Sequence, residues 1–526
     1  MGVPDTYFLQ QAIDRGMRAI DARLDRAEGY RPFFLMKLGQ SPELVHDIWD
    51  FGDMCSRYVD AFVQARQVTG SEEYRQSEQA LMQLLGTCDP YLEPFMAGRM
   101  LIAYVSLFLR DRSPESRQRI SDLLGVIRSH LTFEQDYAYY FKAPEGWSSV
   151  SQPVWGSFLP YPTYPLGGII LALARYLEEC DDPDAADLLD KLTAFVLRES
   201  GTFAADGSYL GHTHSGGILT AAVGIFRRAI SLGDQDKVRL MRQVLDWTLA
   251  HSSSWGWVPD GLGGPDPSGE TCSLADALHF VLLAARHVDT SYYGVAERFA
   301  RNQLLENQYL MPGRALPVAD FANRDAVARA LEGSWASWSL PNSLDNGLES
   351  VEGCCLGAGI RACCMVWGSS IERTAEAVRV NMAFSRNSEW AEVVSYLPYS
   401  GRIDVEMHIG ANLLVRVPDG VGPGTIRVSR GGSDARSAVT RDGYVDIPSA
   451  VQGERISIRF PLATREAEEN VAGRDYRVKW RGDTIVGMAP QGLRYPLFER
   501  DWMECEEPPM LSHAPYHDQR GGPVVW

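Results

Sequence analysis

Two short segments of the chain carry the side chains best suited to hold a soft metal ion or to act as nucleophiles. The first is Gly269-Glu270-Thr271-Cys272, directly before an apolar helical stretch from Leu274 to His287. The second is Glu352-Gly353-Cys354-Cys355, directly before a helical stretch that runs through Arg361 to Trp367. In an extended connection, residues two apart point to the same side, so Glu270 and Cys272 can reach one ion together. The positive end of a helix favours thiolate over thiol, and thiolate is both the metal ligand and the nucleophile. Three sulfurs and a carboxylate, Cys272, Cys354, Cys355 and Glu270, suit Zn2+ in a tetrahedral shell. Small buried core residues are the competing reading of the same cysteines. It is the reading adopted for Cys363 and Cys364, further along the second helix.

The elements that would position these segments are legible from periodicity. From about residue 10 to residue 375, apolar residues recur at three- and four-residue spacing between short polar turns, the pattern of helices. Turns such as Glu179-Cys180-Asp181-Asp182, Ser231-Leu232-Gly233-Asp234 and Val288-Asp289-Thr290 recur at roughly fifty-residue intervals, the length of a helical hairpin with its connections. About six such hairpins close into an (α/α)6 toroid, with longer connections gathered at one mouth. An open helical solenoid is the alternative. After residue 375 the period becomes two, in Arg402 to Ile409, Asn412 to Val417 and Arg455 to Phe460, with turns at Pro418-Asp419-Gly420 and Arg441-Asp442-Gly443. That pattern predicts an antiparallel β-sandwich over 376–526, ending in an irregular tail, after a helical domain over 1–375.

The 526 residues, 45% hydrophobic and 22% charged, can bury a large core in two domains. A formal charge of −18 argues against nucleic acid as a partner. Met1 to Lys37 has no basic start followed by an apolar block, and no apolar run reaches membrane-spanning length. The expected setting is therefore cytoplasmic, without membrane or nucleic-acid partners. Nine cysteines, an odd number, point to reduced thiols rather than a disulfide framework. Homodimer formation is left open.

Several further markers share an order and spacing with one known family. They are Glu270-Thr271-Cys272, the pair Cys354-Cys355 followed by Arg361, Thr213-His214, and Glu297-Arg298 with Asn302, joined in the carboxy-terminal part by Gly443-Tyr444-Val445, Phe460-Pro461-Leu462 and Arg465. With these, the chain from about residue 45 to residue 495 resembles glycoside hydrolase family 127, the zinc-dependent β-L-arabinofuranosidase family. The resemblance implies that Glu270, Cys272, Cys354 and Cys355 hold zinc. It further implies that Cys354 attacks the anomeric carbon of a terminal furanoside with retention of configuration, and that the substrate is an oligosaccharide or glycoside.

The chain departs from that family at the proton donor. Its acid/base glutamate lies about sixteen residues before the Glu-x-Cys segment, where this sequence has Ser253-Ser254-Trp255. Asp260, in Trp257-Val258-Pro259-Asp260-Gly261, is one substitute, although an Asp-Gly turn needs no such role. Glu352 is the other, because Glu352-Gly353-Cys354 mirrors Glu270-Thr271-Cys272. A sugar-contacting histidine of the family is replaced near Leu166, and the asparagine usual after the double cysteine is Ala358. His214 matches a sugar-contacting histidine, His212 would share its side of an extended connection, and Glu297 could bond a hydroxyl. Among Trp255, Trp257, Trp335 and Trp338, Trp257 is placed as a stacking face, with ordinary packing as the alternative. These departures keep two other readings open: a glycan-processing enzyme of another type, such as an acidic-sugar hydrolase or a lyase, and a non-catalytic carbohydrate- or zinc-binding relative.

Overall fold

The computed structural model describes residues 3–91, 95–141, 162–209, 214–262, 268–317, 321–500, 505 and 507–514. Among them the helices in chain order are α1 (Leu9–Ala22), α2 (Gly52–Thr69), α3 (Arg75–Leu85), α4 (Met96–Asp111), α5 (Pro114–His130), α6 (Tyr164–Leu177), α7 (Pro183–Arg198), α8 (Ser215–Leu232), α9 (Gln235–Ala250), α10 (Thr271–His287), α11 (Tyr292–Phe299), α12 (Arg324–Leu331) and α13 (Gly353–Ser370). The polar turns end and start them as their residues dictate. Gly70 and Gly233 take the left-handed conformation after α2 and α8, while the Asp182 and Asp234 carboxylates cap α7 and α9.

Six helices, α2, α4, α6, α8, α10 and α13, pack side by side into a ring that closes because α13 returns to α2. Outside them lie α3, α5, α7, α9 and α11, each against the inner helix before it, with α1 against α13. The closure rules out an open solenoid and makes the helical part an (α/α)6 toroid. The division follows from sequence: α4 and α6 are apolar almost all round and bury nearly every residue, whereas α9 buries a single stripe of Met241, Val244, Leu245 and Thr248. The inner helices run in the same direction, so their first turns meet at one mouth. There α4 and α6 approach so closely that a Cβ on Gly168 would stand 2.8 Å from the Gly98 carbonyl carbon.

Helix gives way to strand after Ser370, and the first strand, Ile371–Arg373, begins slightly ahead of the boundary expected at residue 375. A five-stranded and a six-stranded sheet then face each other across Val380, Ile403, Val405, Leu413, Val415, Ile456 and Ile458. The alternating runs pair as their pattern requires, Ile403 opposite Ile458 and Val405 opposite Ile456. One pair departs from the antiparallel expectation: Ala377–Val380 lies parallel to Ala411–Arg416, because the chain crosses to the other sheet between them and returns in the same sense. A third sheet, over 464–489, belongs to neither layer. Its Tyr476, Val478 and Trp480 pack with Trp255 and Trp257 of the helical part. The tail is not wholly irregular, since Met510–Leu511 pairs with Val3–Pro4. Among the described residues no helix is long and apolar enough to cross a membrane.

The close crossing of α4 and α6 predicts that Gly168→Ala will lower stability by about 1–3 kcal/mol, as the two backbones are forced apart. Urea denaturation checks this; unchanged stability would show that the ring has slack at this point.

Candidate metal centre and active site

The site is assembled from the starts of the inner helices. His214, Glu270 and Glu352 occupy the positions just before α8, α10 and α13, Cys272 and the Cys354-Cys355 pair lie in the first turns of α10 and α13, and Arg57 lies in α2. At the N-cap, short polar side chains normally bond the free amides. Neither Glu270 nor Glu352 does so, which leaves both carboxylates to turn into the mouth. Glu270 is aimed by its own backbone: Gly269 is bridged to Ser339 through two hydrogen bonds of 2.7 and 2.9 Å, and the Glu270 amide reaches Val258 O. Trp257 lies flat beneath this strand, so close that a Cβ on Gly269 would stand 2.3 Å from its ring nitrogen.

The four donors meet. Cys355 Sγ lies 3.6 Å from Cys272 Sγ, 3.9 Å from Cys354 Sγ and 3.5 Å from Glu270 Oε1, and Cys354 Sγ lies 3.9 Å from that same oxygen. Around a tetrahedral ion with sulfur bonds of about 2.3 Å, ligand atoms are separated by about 3.5–3.8 Å. The observed edges fit that shell, and all four residues are buried. Without a cation the cluster cannot ionise fully. Hydrogen bonds from Cys354 and Cys355, aided by the Arg57 and His214 charges, hold the Cys272 thiol well below its usual value. Cys354 is held well above by its bonds to Cys272 and Cys355, and Cys355 by burial and its bond to Cys272. Burial and the Cys272 charge likewise push Glu270 well up. Ionisation is thus favoured at Cys272 and opposed at the other three, and a bound cation would favour the ionised form of all four.

The neighbours of the cluster carry the remaining chemistry. Glu352 Oε2 stands 3.6 Å from Cys354 Sγ, while its other oxygen accepts a 3.2 Å bond from Trp338 Nε1. Burial raises its pKa, against the pull of the Trp338 bond. His214 Nδ1 lies 2.6 Å from Asp260 Oδ1 and 3.4 Å from Glu270 Oε2, under the ring of Tyr164 at 5.4 Å. Burial opposes its charge, but the Glu270 and Asp260 carboxylates outweigh that and lift its pKa to about 10. The Asp260 backbone is fixed by bonds to Ser215 and Ser268, so its carboxylate serves His214 rather than a turn.

The structure brings Glu270, Cys272, Cys354, Cys355, Glu352, His214 and Asp260 together. It does not bring Glu297, whose carboxylate is taken by Arg301 at 2.8 Å and Arg416 at 3.1 Å, tying α11 to the sandwich. Trp257 is buried with its N–H given to Ser339 O, so it supports the Glu270 strand and presents no stacking face. His212 lies outside the described residues. Sixteen residues before Glu270, where the sequence resemblance leads to the expectation of an acid/base, Ser254 binds the Glu469 carboxylate through its amide and hydroxyl, at 2.7 and 2.6 Å, and Trp255 beside it is buried against the third sheet. That segment is committed to domain packing. Sequence reasoning missed Arg57, which reaches Cys272 Sγ at 3.7 Å while paired with Asp53 at 2.7 Å. The only available signal was the four-residue spacing of Asp53 and Arg57 at the start of an apolar helix.

No family model and no curated protein matches the sequence. Solved structures do. A GH127 β-L-arabinofuranosidase from Geobacillus stearothermophilus T6 superposes with a TM-score of 0.57 at 14% identity, over 92% of this chain and 86% of that one. A GH127 β-arabinofuranosidase superposes at 0.60 with 12% identity, over 90% and 78%. A sugar epimerase from a ruminal bacterium superposes at 0.52 with 14% identity, over 69% and 99%. At these identities the likeness establishes the shared fold alone, over nearly the whole of this chain in the first two and over about two thirds of it in the third.

The cluster predicts that the purified chain retains a divalent metal ion and that Cys272→Ala and Cys355→Ala each lose it, as measured by elemental analysis after dialysis. Full occupancy in either variant would break the shared site apart.

Proposed function

We propose that the protein is a retaining glycoside hydrolase that cleaves a terminal furanoside, arabinofuranoside-like, with Cys354 as nucleophile and Zn2+ as the resident ion. The observation that carries this reading is the setting of Cys354: it is the most exposed of the four buried donor residues, at 6%, and has a carboxylate, Glu352, 3.6 Å from its Sγ. The three-sulfur, one-oxygen donor set is that of a tetrahedral zinc site. The likeness in fold to two GH127 arabinofuranosidases supports the glycan substrate.

Zinc, when bound by Glu270, Cys272, Cys354 and Cys355, would keep the sulfurs deprotonated at neutral pH. Cys354 Sγ then attacks the anomeric carbon as the bond to the leaving oxygen breaks, and an adjacent acid gives that oxygen its proton. A water, deprotonated by the same group, attacks the same carbon and expels the sulfur, so two inversions return the original configuration. Glu352 is the better placed of the two candidate acids. Its burial favours the protonated form that the first step needs. Asp260 is held in its ion pair with His214 and acts through that ring, which it orients toward the mouth.

Metal-loaded protein should hydrolyse an aryl furanoside, and brief incubation followed by intact-mass analysis should show one glycosyl group on Cys354. Cys354→Ser should abolish turnover. Glu352→Gln should slow it by about 10²–10⁴ on poor leaving groups and much less on activated ones. Turnover that survives in Cys354→Ser, or metal-loaded protein inert on a full furanoside panel, would reject the assignment.

A further inference from the structure

Helix α11 is followed without a break by a π-helical turn, Ala300–Leu304, that carries three successive buried polar side chains, Arg301, Asn302 and Gln303. Such turns are rare inside helices and are found mostly where a site needs them. Each of the three side chains has its own partner. Arg301 holds Glu297 and the Ala383 carbonyl. Asn302 clamps the third sheet, giving Nδ2 to Asp483 O at 3.0 Å and receiving the Ile485 amide at 2.8 Å. Gln303 gives its Nε2 to Asn307 Oδ1 at 2.8 Å.

Asn307 carries this connection to the metal centre. Its Nδ2 lies 3.2 Å from Thr271 Oγ1, and Thr271 is the residue between Glu270 and Cys272. The direction of that bond is fixed, because the Thr271 hydroxyl gives its one proton to Ala336 O at 2.6 Å and can only accept from Asn307. Asn307 O in turn takes the Ala336 amide at 2.9 Å, so that Asn307, Thr271 and Ala336 form a closed ring of three bonds. The residues after Ala336 serve both ligand-bearing helix starts: Ser337 Oγ accepts the Glu352 amide at 2.6 Å, and Ser339 is bridged to Gly269. Gln303 Oε1 is buried with no partner among the described residues. An apolar pair at 303 and 307 would avoid that cost, but would leave the Glu270-Thr271-Cys272 segment without its tie.

We infer that Asn307 is a positioning residue of the metal centre, which through Thr271 fixes the separation and aim of Glu270 and Cys272. The inference rests on the four-donor cation site and not on the glycosidase reading. Groups that orient metal ligands in this way set affinity by about 10–100-fold.

The full chain, stripped of metal and reloaded with Co2+, reports the site in two ways: affinity against a competing chelator, and the intensity of the thiolate-to-cobalt and d–d absorption bands. Thr271→Val and Asn307→Leu, each close to its parent in volume, should both weaken Co2+ binding about tenfold or more and alter the bands. The double variant should be no weaker than either single one, since both remove the same tie. Thr271→Ser, which keeps the hydroxyl, should bind as wild type does. If Asn307→Leu does not fold, Asn307→Asp takes its place, keeping the acceptor for Gln303 and losing the donor to Thr271.

The melting temperature of the metal-free samples separates positioning from packing. Variants that melt earlier but keep wild-type affinity and bands, or losses that simply add in the double variant, would overturn the inference. Wild type that takes up no Co2+ would remove the metal centre itself, whereas tight binding by wild type and equally tight binding by both variants would remove only the role of Asn307.

Discussion

Everything at the mouth of the toroid depends on one electrostatic constraint: three thiols and a carboxylate are packed into a dry pocket where they cannot all be charged by themselves. The fold makes this crowding possible by closing a ring, so that α13 brings Cys354 and Cys355 back against α10, which carries Cys272. The parallel inner helices also bring their positive ends to the same place. Those ends, with Arg57 and the His214 ring, whose pKa is lifted to about 10, offset part of the negative charge; a divalent ion held there would offset the rest.

The second domain works mainly by fixing the first. Arg416 of the sandwich holds Glu297 of α11, and Glu469 of the third sheet holds Ser254 at the connection leading toward Asp260 and Glu270. That same sheet buries Trp255 and Trp257, and Trp257 in turn supports the strand at Gly269. The strand that carries Glu270 is therefore supported in part from outside the toroid. The Ser254 segment is thus used for docking, its amide and hydroxyl both taken by Glu469.

Much of this arrangement could be read from the chain. Apolar residues all round in α4 and α6, against a single stripe in α9, separate inner from outer helices. The alternation in Arg402 to Met407 and Arg455 to Arg459 fixes the sandwich register. Glu270 and Glu352 were visible because each stands two residues before a cysteine at the start of an apolar helix. Four things were not legible, because each depends on long-range packing. Arg57 reaches Cys272 across 215 positions of sequence, Trp257 is turned inward by Gly269, and Glu297 is captured by an arginine 119 residues away. The parallel pairing of Ala377–Val380 with Ala411–Arg416 depends on a crossover that no local period records.

The central claim is a three-sulfur, one-oxygen shell. X-ray absorption at the zinc edge of the purified protein tests it most directly, since sulfur and oxygen neighbours differ in distance and scattering. The account predicts three sulfur neighbours at about 2.3 Å and one oxygen at about 2.0–2.2 Å. A stoichiometric ion surrounded by nitrogen and oxygen alone would contradict it.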